Sequence, residues 1–190
     1  MLEGDRYEDR PIYFSDVIVR TDSDIEDGFA SLRGRSWAYN EPNSHSGYNV
    51  TRYRLLQMGE TGGFFGRVVR AGSHAKALRL VAAGEVDAAA IDSQVLAVEL
   101  RDHPELAAAV RVIDQLGPSS IQPVVASSRL PEKVKQEAKR ALLDLGQDAE
   151  SRRALAKGFV RRFAEVEDGD YDDIRQMLEA AERTGFMTLG

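Results

Sequence analysis

The sequence predicts an α/β fold, and three observations indicate it. Short apolar segments rich in Val, Ile and aromatic residues alternate with helix-like segments between residues 11 and 116. Three of these segments lead into turns containing Ser or Asp that precede a helical pattern, as in strand–turn–helix units. From Pro131 onward the pattern is amphipathic and helical only. We therefore expect a parallel α/β layer followed by an α-helical C-terminal region.

The individual elements follow from apolar periodicity and turn residues along the chain. Strands are predicted at residues 11–20, 34–40, 67–72, 86–92 and 110–116. Helices are predicted at residues 23–32, 46–58, 74–84, 93–104, 131–146, 148–166 and 170–186. Ser23 with Glu26 indicates a capping box, Gly84 ends one helix and Pro104 stops the next. Residues 117–127 are expected to be extended and rich in turns.

Bulk composition limits the possible function classes. With 190 residues the chain is long enough for one large domain or two small lobes. The net charge of −6 disfavours nucleic acid as a partner. The absence of cysteine excludes disulfides and thiolate catalysis, and three widely separated histidines disfavour a zinc site. No apolar run approaches the ~20 residues of a membrane span, and the charged start "MLEGDRYEDR" is not expected to be a secretory signal.

The stretch "NEPNSHSGYN", residues 40–49, combines a polar loop with the start of a predicted helix. The first N–H groups of a helix lack intrahelical partners and carry partial positive charge, so they suit a phosphate, phosphonate or carboxylate group. The serine hydroxyls add donors, and the glycine admits a close approach. The alternative is that Ser44 or Ser46 only caps the helix, and this stretch alone favours the cap. The candidate ligand contacts here are Asn40, Ser44, His45, Ser46 and Gly47.

A second loop, "AGSHAKAL" at residues 71–78, repeats this arrangement with Ser73 and His74. A histidine at a helix N-terminus tends to stay neutral because the helix dipole disfavours its cation, yet it can donate one N–H to an anion. The alternative is a surface histidine beside a cap. Since both loops follow strands, and ligands of open α/β sheets collect at the carboxyl ends of strands, two such loops favour a ligand crevice.

Two further segments contain candidate cleft residues. Asp92 in "AAIDSQV" closes a strand, where it is either an N-cap or a carboxylate facing a ligand. In "GPSSIQP", residues 117–123, Ser119, Ser120 and Gln122 could line a cleft, but a role in a turn is favoured. Catalysis has little support, because the chain lacks a GxSxG elbow, a P-loop lysine, a GxGxxG loop and paired histidines. No enzyme activity and no cofactor are expected.

Four segments occur in an order and spacing typical of one family. They are "YFSDVIVR", "LRGRSWAYNEPNSHSGYNVTRYRL", "AGSHAKALRLVAAGEVDAAAIDS" and "LGPSSIQPVVAS". Together they resemble the phosphonate- and phosphate-binding solute receptors of ABC importers, and the resemblance covers about residues 11–145. It implies the type II periplasmic binding protein fold, with one full α/β lobe plus an incomplete second lobe that carries the C-terminal helices.

The resemblance also implies roles for individual residues. In the family, a Ser-rich helix N-terminus holds the oxyanion of the ligand, a second loop adds a histidine donor, and a strand-end acid faces the other end of the ligand. The matching positions here are Ser44, His45, Ser46, Ser73, His74 and Asp92, with Tyr13 as an aromatic residue that borders the cleft. His45 departs from the pattern, because the family usually has Ser or Thr at this position.

The length of the chain is a second departure from the family. Members normally carry roughly a hundred residues before the "YFSDVIV" strand, as usual domain sizes suggest. We therefore expect a crossover strand at residues 1–19, an α/β ligand-binding lobe at 20–115, and at 116–190 the return segment and C-terminal helices of the incomplete first lobe. Helices after Pro131 are expected to expose apolar faces, which favours a homodimer.

The leading hypothesis is therefore a solute-binding protein for a small phosphonate- or phosphate-like oxyanion, acting with an ABC permease. The resemblance implies a periplasmic or extracytoplasmic location, while the start of this sequence leaves a cytoplasmic one open. An alternative is a truncated or diverged relative that senses a ligand or assists assembly without transport. A third hypothesis is a transferase that uses the same fold, which lacks a visible base–nucleophile pair.

Overall fold

The computed structural model describes residues 1–189, which form five strands and seven α-helices. The strands are β1 (Ile12–Arg20), β2 (Ser36–Tyr39), β3 (Arg67–Arg70), β4 (Ala88–Asp92) and β5 (Val110–Ser120). The helices are α1 (Val50–Gln57), α2 (His74–Ala82), α3 (Ser93–Asp102), α4 (Pro104–Ala109), α5 (Glu132–Asp144), α6 (Ala149–Ala156) and α7 (Asp172–Thr184). A π-helical turn, His45–Asn49, leads directly into α1. None of these helices is long and apolar enough to cross a lipid bilayer.

All five strands belong to one sheet with the order β3-β2-β4-β1-β5. Strand β2 pairs in parallel with β3 and β4, whereas β1 runs antiparallel to both β4 and β5. The prediction of a parallel layer is therefore correct for β2, β3 and β4 and wrong for β1. An apolar run indicates that a strand is buried on both faces, but it contains no information about the direction of the strand.

Helices cover both faces of the sheet, because both faces of its central strands are apolar. One core contains Trp37, Phe29 and Phe64 together with residues of α1 and α7. The other contains Ile18 and Ile91 together with residues of α2, α3 and α4. The small side chains of "AAAID" in β4 are buried at every position, which lets helices approach the sheet closely. The α/β class predicted from the sequence is confirmed.

The predicted helix at residues 23–32 is replaced by an irregular segment and a short 3-10 turn, Phe29–Leu32. Gly28 has φ of 97°, which a right-handed helix cannot include. Instead of forming a capping box with Glu26, Ser23 accepts a hydrogen bond from the backbone N–H of Ile25 at 3.2 Å. Ser23 therefore forms a local Ser turn and does not begin a helix.

Two other helix boundaries also differ from the prediction. Pro104 does not end the helix at 93–104: α3 ends at Asp102, and Pro104 begins α4 at its first position, where a missing N–H costs nothing. The helix predicted at 148–166 ends at Ala156, and Phe159 has φ of 53°. Beyond this residue the chain leaves the helix, and Val160 forms an isolated antiparallel bridge with Leu2.

The C-terminal helices differ in how they pack. Helix α7 buries Met177 and Ala181 against the lobe, and Phe186 and Leu189 follow it into the same core. Helices α5 and α6 bury no side chain. The division into segments 1–19, 20–115 and 116–190 stays a prediction; within it, β1 lies inside the sheet and β5 extends to Ser120.

Candidate anion-binding site

The carboxyl ends of β2, β3 and β4 meet at one edge of the sheet, because these strands are parallel. The turns that follow them bring two of the predicted loops into contact. Ser46 Oγ lies 2.8 Å from His74 Nε2, and Asn40 Nδ2 lies 3.2 Å from the same nitrogen. Residues 28 and 34 positions apart in sequence therefore form one polar cluster.

Two of the predicted contacts act as helix caps. Ser44 Oγ accepts a hydrogen bond from the backbone N–H of Gly47 at 3.1 Å and lies 2.9 Å from Asn40 Nδ2. Ser73 Oγ accepts one from the backbone N–H of Lys76 at 3.1 Å. For these two serines the structure has the capping geometry that the sequence also allowed. Their caps fix the loops on which Ser46 and the neighbouring histidine lie.

The space beside Gly47 is occupied by neighbouring side chains and is not open to a ligand. A Cβ atom at this position would lie 2.1 Å from Asn40 Oδ1 and 3.3 Å from His74 Cε1. Asn40 Oδ1 is buried and has no hydrogen-bond partner among residues 1–189. The glycine therefore lets the asparagine pack against the first turn of the helix, so that its amide reaches the histidine.

Both histidines of the site are neutral at pH 7. Burial lowers the pKa of His45 to about 4, against a smaller opposing effect of the charge of Asp173. Burial also lowers the pKa of His74, which the charge of Asp92 opposes. The sequence argument expected a neutral histidine because of the helix dipole; burial is the larger cause here. Neutral rings can each offer one N–H and one acceptor nitrogen.

Tyr13 lies beside this cluster with its hydroxyl protonated. It is 3% exposed, and its pKa is raised by burial first and by the charge of Asp92 second, while a hydrogen bond with Ser46 opposes the rise. Its ring meets the ring of His45 edge-on, with the centroids 6.3 Å apart. Tyr13 thus places β1 in contact with His45 of the first loop.

Asp92 caps helix α3. Its Oδ1 accepts hydrogen bonds from the backbone N–H groups of Gln94 at 2.9 Å and Val95 at 3.2 Å. Its Oδ2 accepts one from Gln122 Nε2 at 2.8 Å. Both oxygens therefore have partners in the chain, and the cap that the sequence allowed is formed. The residue also tethers the segment after β5 to the sheet.

A second set of polar residues lies next to this cluster; sequence analysis named Ser119 as a possible cleft residue, with a turn favoured, and missed Asn49 and Arg52. Ser119, Asn49 and Arg52 are all at most 9% exposed. His45 Nε2 lies 2.8 Å from Ser119 Oγ, and His45 Nδ1 lies 3.3 Å from Asn49 Nδ2. Arg52 donates to Asn49 Oδ1 at 2.8 Å. The feature that distinguishes these residues is the burial of an arginine within a short helix. Burial is not visible in the sequence, so it could not be used to predict them.

A larger groove lies apart from the polar cluster. It has a volume of about 680 Å³ and is lined mainly by apolar side chains from residues 121–130, from α5 and from residues 160–166. None of the nine predicted site residues lines it. No group of His, Asp and Glu in residues 1–189 has the arrangement of a metal site.

Comparison with known protein families gives a match over most of the chain. Residues 4–171 match the family described as "ABC transporter, phosphonate, periplasmic substrate-binding protein". This chain belongs to that family. The resemblance inferred from the four segments is therefore confirmed. No curated protein sequence matches the chain.

Solved structures of family members and of related binding proteins have the same fold. A binding-protein component of an ABC phosphonate transporter from Pseudomonas aeruginosa is 25% identical with a TM-score of 0.82, and the match covers 94% of this chain and 60% of that chain. PhnD1 from Prochlorococcus marinus, in complex with methylphosphonate, is 21% identical with a TM-score of 0.76, covering 93% and 68%. XAC2383 from Xanthomonas citri, bound to chloride, is 18% identical with a TM-score of 0.70, covering 94% and 68%.

These similarities confirm the periplasmic-binding-protein-like fold. The chain spans about 60% of the length of the Pseudomonas aeruginosa protein. It contains the full five-stranded lobe described above and part of a second lobe. The family it matches is described as one of substrate-binding proteins.

Proposed function

We propose that this chain binds a small phosphonate- or phosphate-like oxyanion at the cluster of Ser46, His74 and Asn40, as a solute receptor for ABC-type uptake. A permease of the ABC class would be its protein partner, and an extracytoplasmic compartment its location. The single observation that carries the proposal is the 2.8 Å contact between Ser46 Oγ and His74 Nε2, which joins two loops at the strand ends.

The chemistry of this cluster fits an oxyanion. The first N–H groups of the helix that begins at His45 lack intrahelical partners and carry partial positive charge. Ser46 can turn its hydroxyl hydrogen from His74 to an incoming oxygen, and the neutral imidazole can offer its Nε2–H after a change of tautomer if the NH₂ group of Asn40, which faces that nitrogen, also turns toward the ligand. Tyr13 keeps its proton and supplies a further donor. Hydrogen bonds from neutral groups to a charged ligand are stronger than those between neutral groups.

The first ligand to test is methylphosphonate, because a relative with the same fold was solved with that compound. Isothermal titration calorimetry compares it with phosphate, phosphite and 2-aminoethylphosphonate. Ser46→Ala is expected to weaken binding about 10- to 100-fold, since a hydrogen bond to a charged group contributes ~1.5–3 kcal/mol. Ser128→Ala, at an exposed serine outside the cluster, is the matched control and should bind like the wild type. Absence of heat with all four compounds, in folded protein, would contradict the proposal.

We further propose that two copies of this chain associate through the apolar groove. Val124 and Val125 beside it are 66% and 81% exposed, and Leu130 is 43% exposed. Apolar surface of this kind favours association. Light scattering after size exclusion tests the proposal: a mass near 42 kDa is expected, as twice the 21.0 kDa of one chain, whereas a stable species of one chain's mass would contradict it.

A further inference from the structure

We propose that Ser119 donates a further hydrogen bond to the bound anion, and that His45 is a positioning residue that orients its hydroxyl. This inference rests on the proposed function, because it assigns two more residues to the same site. It depends on a chain of buried polar side chains that runs from Arg52 through Asn49 and His45 to Ser119.

The chain of contacts begins at Arg52, whose guanidinium is a donor only. Its Nη2 lies 2.8 Å from the side-chain amide of Asn49, and its Nη1 donates to the backbone carbonyl of Met187 at 3.0 Å. The amide atom that faces an arginine must be the oxygen. Arg52 is 4% exposed, so solvent does not compete for this contact. The orientation of the Asn49 amide is therefore fixed.

The orientation of Asn49 in turn determines the tautomer of His45. With the oxygen of Asn49 facing Arg52, its NH₂ group faces His45 Nδ1 at 3.3 Å. A donor on one side requires an acceptor on the other, so Nδ1 carries no hydrogen. In the neutral ring the hydrogen then lies on Nε2. The opposite tautomer would place two donors against each other.

His45 consequently donates its Nε2–H to Ser119 Oγ at 2.8 Å. The serine oxygen accepts this bond, and its own hydroxyl hydrogen is left free to donate. Among residues 1–189, no acceptor receives a hydrogen bond from the side chain of Ser119, although the residue is only 3% exposed. A buried hydroxyl with an unused hydrogen is a suitable donor for a ligand that excludes water.

Ser119 lies next to the proposed anion site. It is the register partner of Tyr13 in the β1–β5 pair, and Ser46 lies close enough to Tyr13 to oppose the rise in the pKa of the tyrosine. The ring of His45 contacts Tyr13 edge-on, and His45 immediately precedes Ser46 in the chain. The donors of the first loop and the hydroxyl from β5 therefore converge on the same cluster from two sides.

The charged and titratable groups around His45 make this arrangement dependent on pH. Tyr13 of β1 and Asp173 at the start of α7 face it, and its hydrogen-bond partners from the helix and from β5 are uncharged. Protonation of Nδ1 would oppose the NH₂ group of Asn49 and break that contact. We call the hydrogen-bonded series Arg52–Asn49–His45–Ser119 the relay. Since burial holds the pKa of His45 at about 4, the relay is intact at neutral pH and is lost as the pH falls toward 4.

The test is titration calorimetry with methylphosphonate on the 190-residue chain and four variants. Ser119→Ala is expected to weaken binding about tenfold. His45→Ala should weaken it by a similar factor, and the double variant should lose no more than either single one. His45→Gln should restore most of the affinity, because its amide NH₂ can replace the Nε2–H toward Ser119. A merely structural role of His45 would not give this pattern.

The possible outcomes separate the two proposals. If folded wild type shows no binding, the proposed function fails and the role of Ser119 fails with it. If wild type binds and Ser119→Ala binds equally well, only the relay is overturned. Losses from His45→Ala and Ser119→Ala that multiply in the double variant would also overturn it. Should His45→Ala not fold, Ser119→Ala alone decides, with a circular dichroism spectrum as the check on folding.

Discussion

The lobe formed by β1–β5 and the C-terminal arm, defined here as residues 121–166, differ in how they use similar apolar patterns. In the lobe, Trp37, Leu55 and Leu78 are at most 1% exposed. In the arm, α5 and α6 bury no side chain, and Val125 is 81% exposed. The polar cluster lies in the lobe, and the arm lines only the apolar groove.

This difference shows what amphipathic patterning determines and what it does not. Helix α2 buries Ala77, Leu78 and Val81 against the sheet, whereas the apolar stripe of α5 borders an open groove. A 3.6-residue pattern identifies the apolar face of a helix, but the fold determines which surface that face packs against. The lobe can therefore be expected to position the site by itself, and the arm to contribute little to the stability of this chain.

The largest expected effect compares one leucine from each region. Leu55→Ala should lower the free energy of unfolding by about 2–5 kcal/mol, because it leaves a cavity in a closed core. Leu145→Ala, at a side chain that is 38% exposed, should change it by less than ~0.5 kcal/mol. Denaturant unfolding followed by circular dichroism measures both. Equal losses would mean that the arm is packed as closely as the lobe.

The second prediction concerns pH and the lobe alone. The pKa of His45 is about 4 in the folded chain against an ordinary value of 6.5. Between these values the unfolded state binds more protons, so the free energy of unfolding is greatest above pH 6.5 and falls as the pH drops toward 4. The loss is of the order of 3 kcal/mol, and His74 adds to it in the same direction. In His45→Gln the free energy of unfolding, measured by denaturant unfolding at several pH values over this range, should depend distinctly less on pH. An unchanged pH dependence would contradict the assignment.

The third prediction uses two glycines. Gly47→Ala should destabilise the chain by about 1–3 kcal/mol and displace Asn40, because the new Cβ would lie 2.1 Å from Asn40 Oδ1. Gly62 has no atom within 4 Å of such a Cβ, so Gly62→Ala should leave stability unchanged or slightly raised. Thermal unfolding compares the two. A tolerated Gly47→Ala would show that the asparagine is not held against the helix.

The smallest expected effect compares two aspartate caps. Asp92→Ala in the lobe should lower the free energy of unfolding by about 1–2 kcal/mol, since it removes the cap of α3 and the contact with Gln122. Asp148 caps α6 by accepting from two backbone N–H groups at 2.8 Å, but this helix is exposed. Asp148→Ala should leave the unfolding midpoint unchanged. A shift as large as that of Asp92→Ala would show that α6 unfolds together with the lobe.

Much of the fold could be predicted from the sequence because its signals are local. All five strands overlap the segments predicted as strands, and Gly84, with φ of 71°, follows α2 as a helix-ending glycine should. The irregular segment before Phe29 was not foreseen, because Ser23 and Glu26 match a cap pattern whose outcome depends on the conformation of Gly28. The direction of β1 likewise depends on its neighbours and not on its own residues.

Part of the candidate site could likewise be predicted from the sequence and part could not. The loops containing Ser46 and His74 could be predicted because each combines a strand end with the start of a helix. The relay could not, because His45 and Ser119 are 74 positions apart and Asn49 resembles an ordinary polar residue of a helix. Only the folded chain brings β5 to the first loop. The sequence also could not distinguish serines that cap from serines free to bind, a distinction that requires hydrogen-bond geometry.

The most direct test of the central claim is a crystal structure of this chain grown with methylphosphonate. The account predicts tetrahedral density whose oxygens lie within ~3 Å of Ser46 Oγ and of a His74 ring nitrogen, with Ser119 Oγ as a further contact. Methylphosphonate bound instead in the apolar groove, or density at neither place at a concentration that saturates binding in calorimetry, would contradict it.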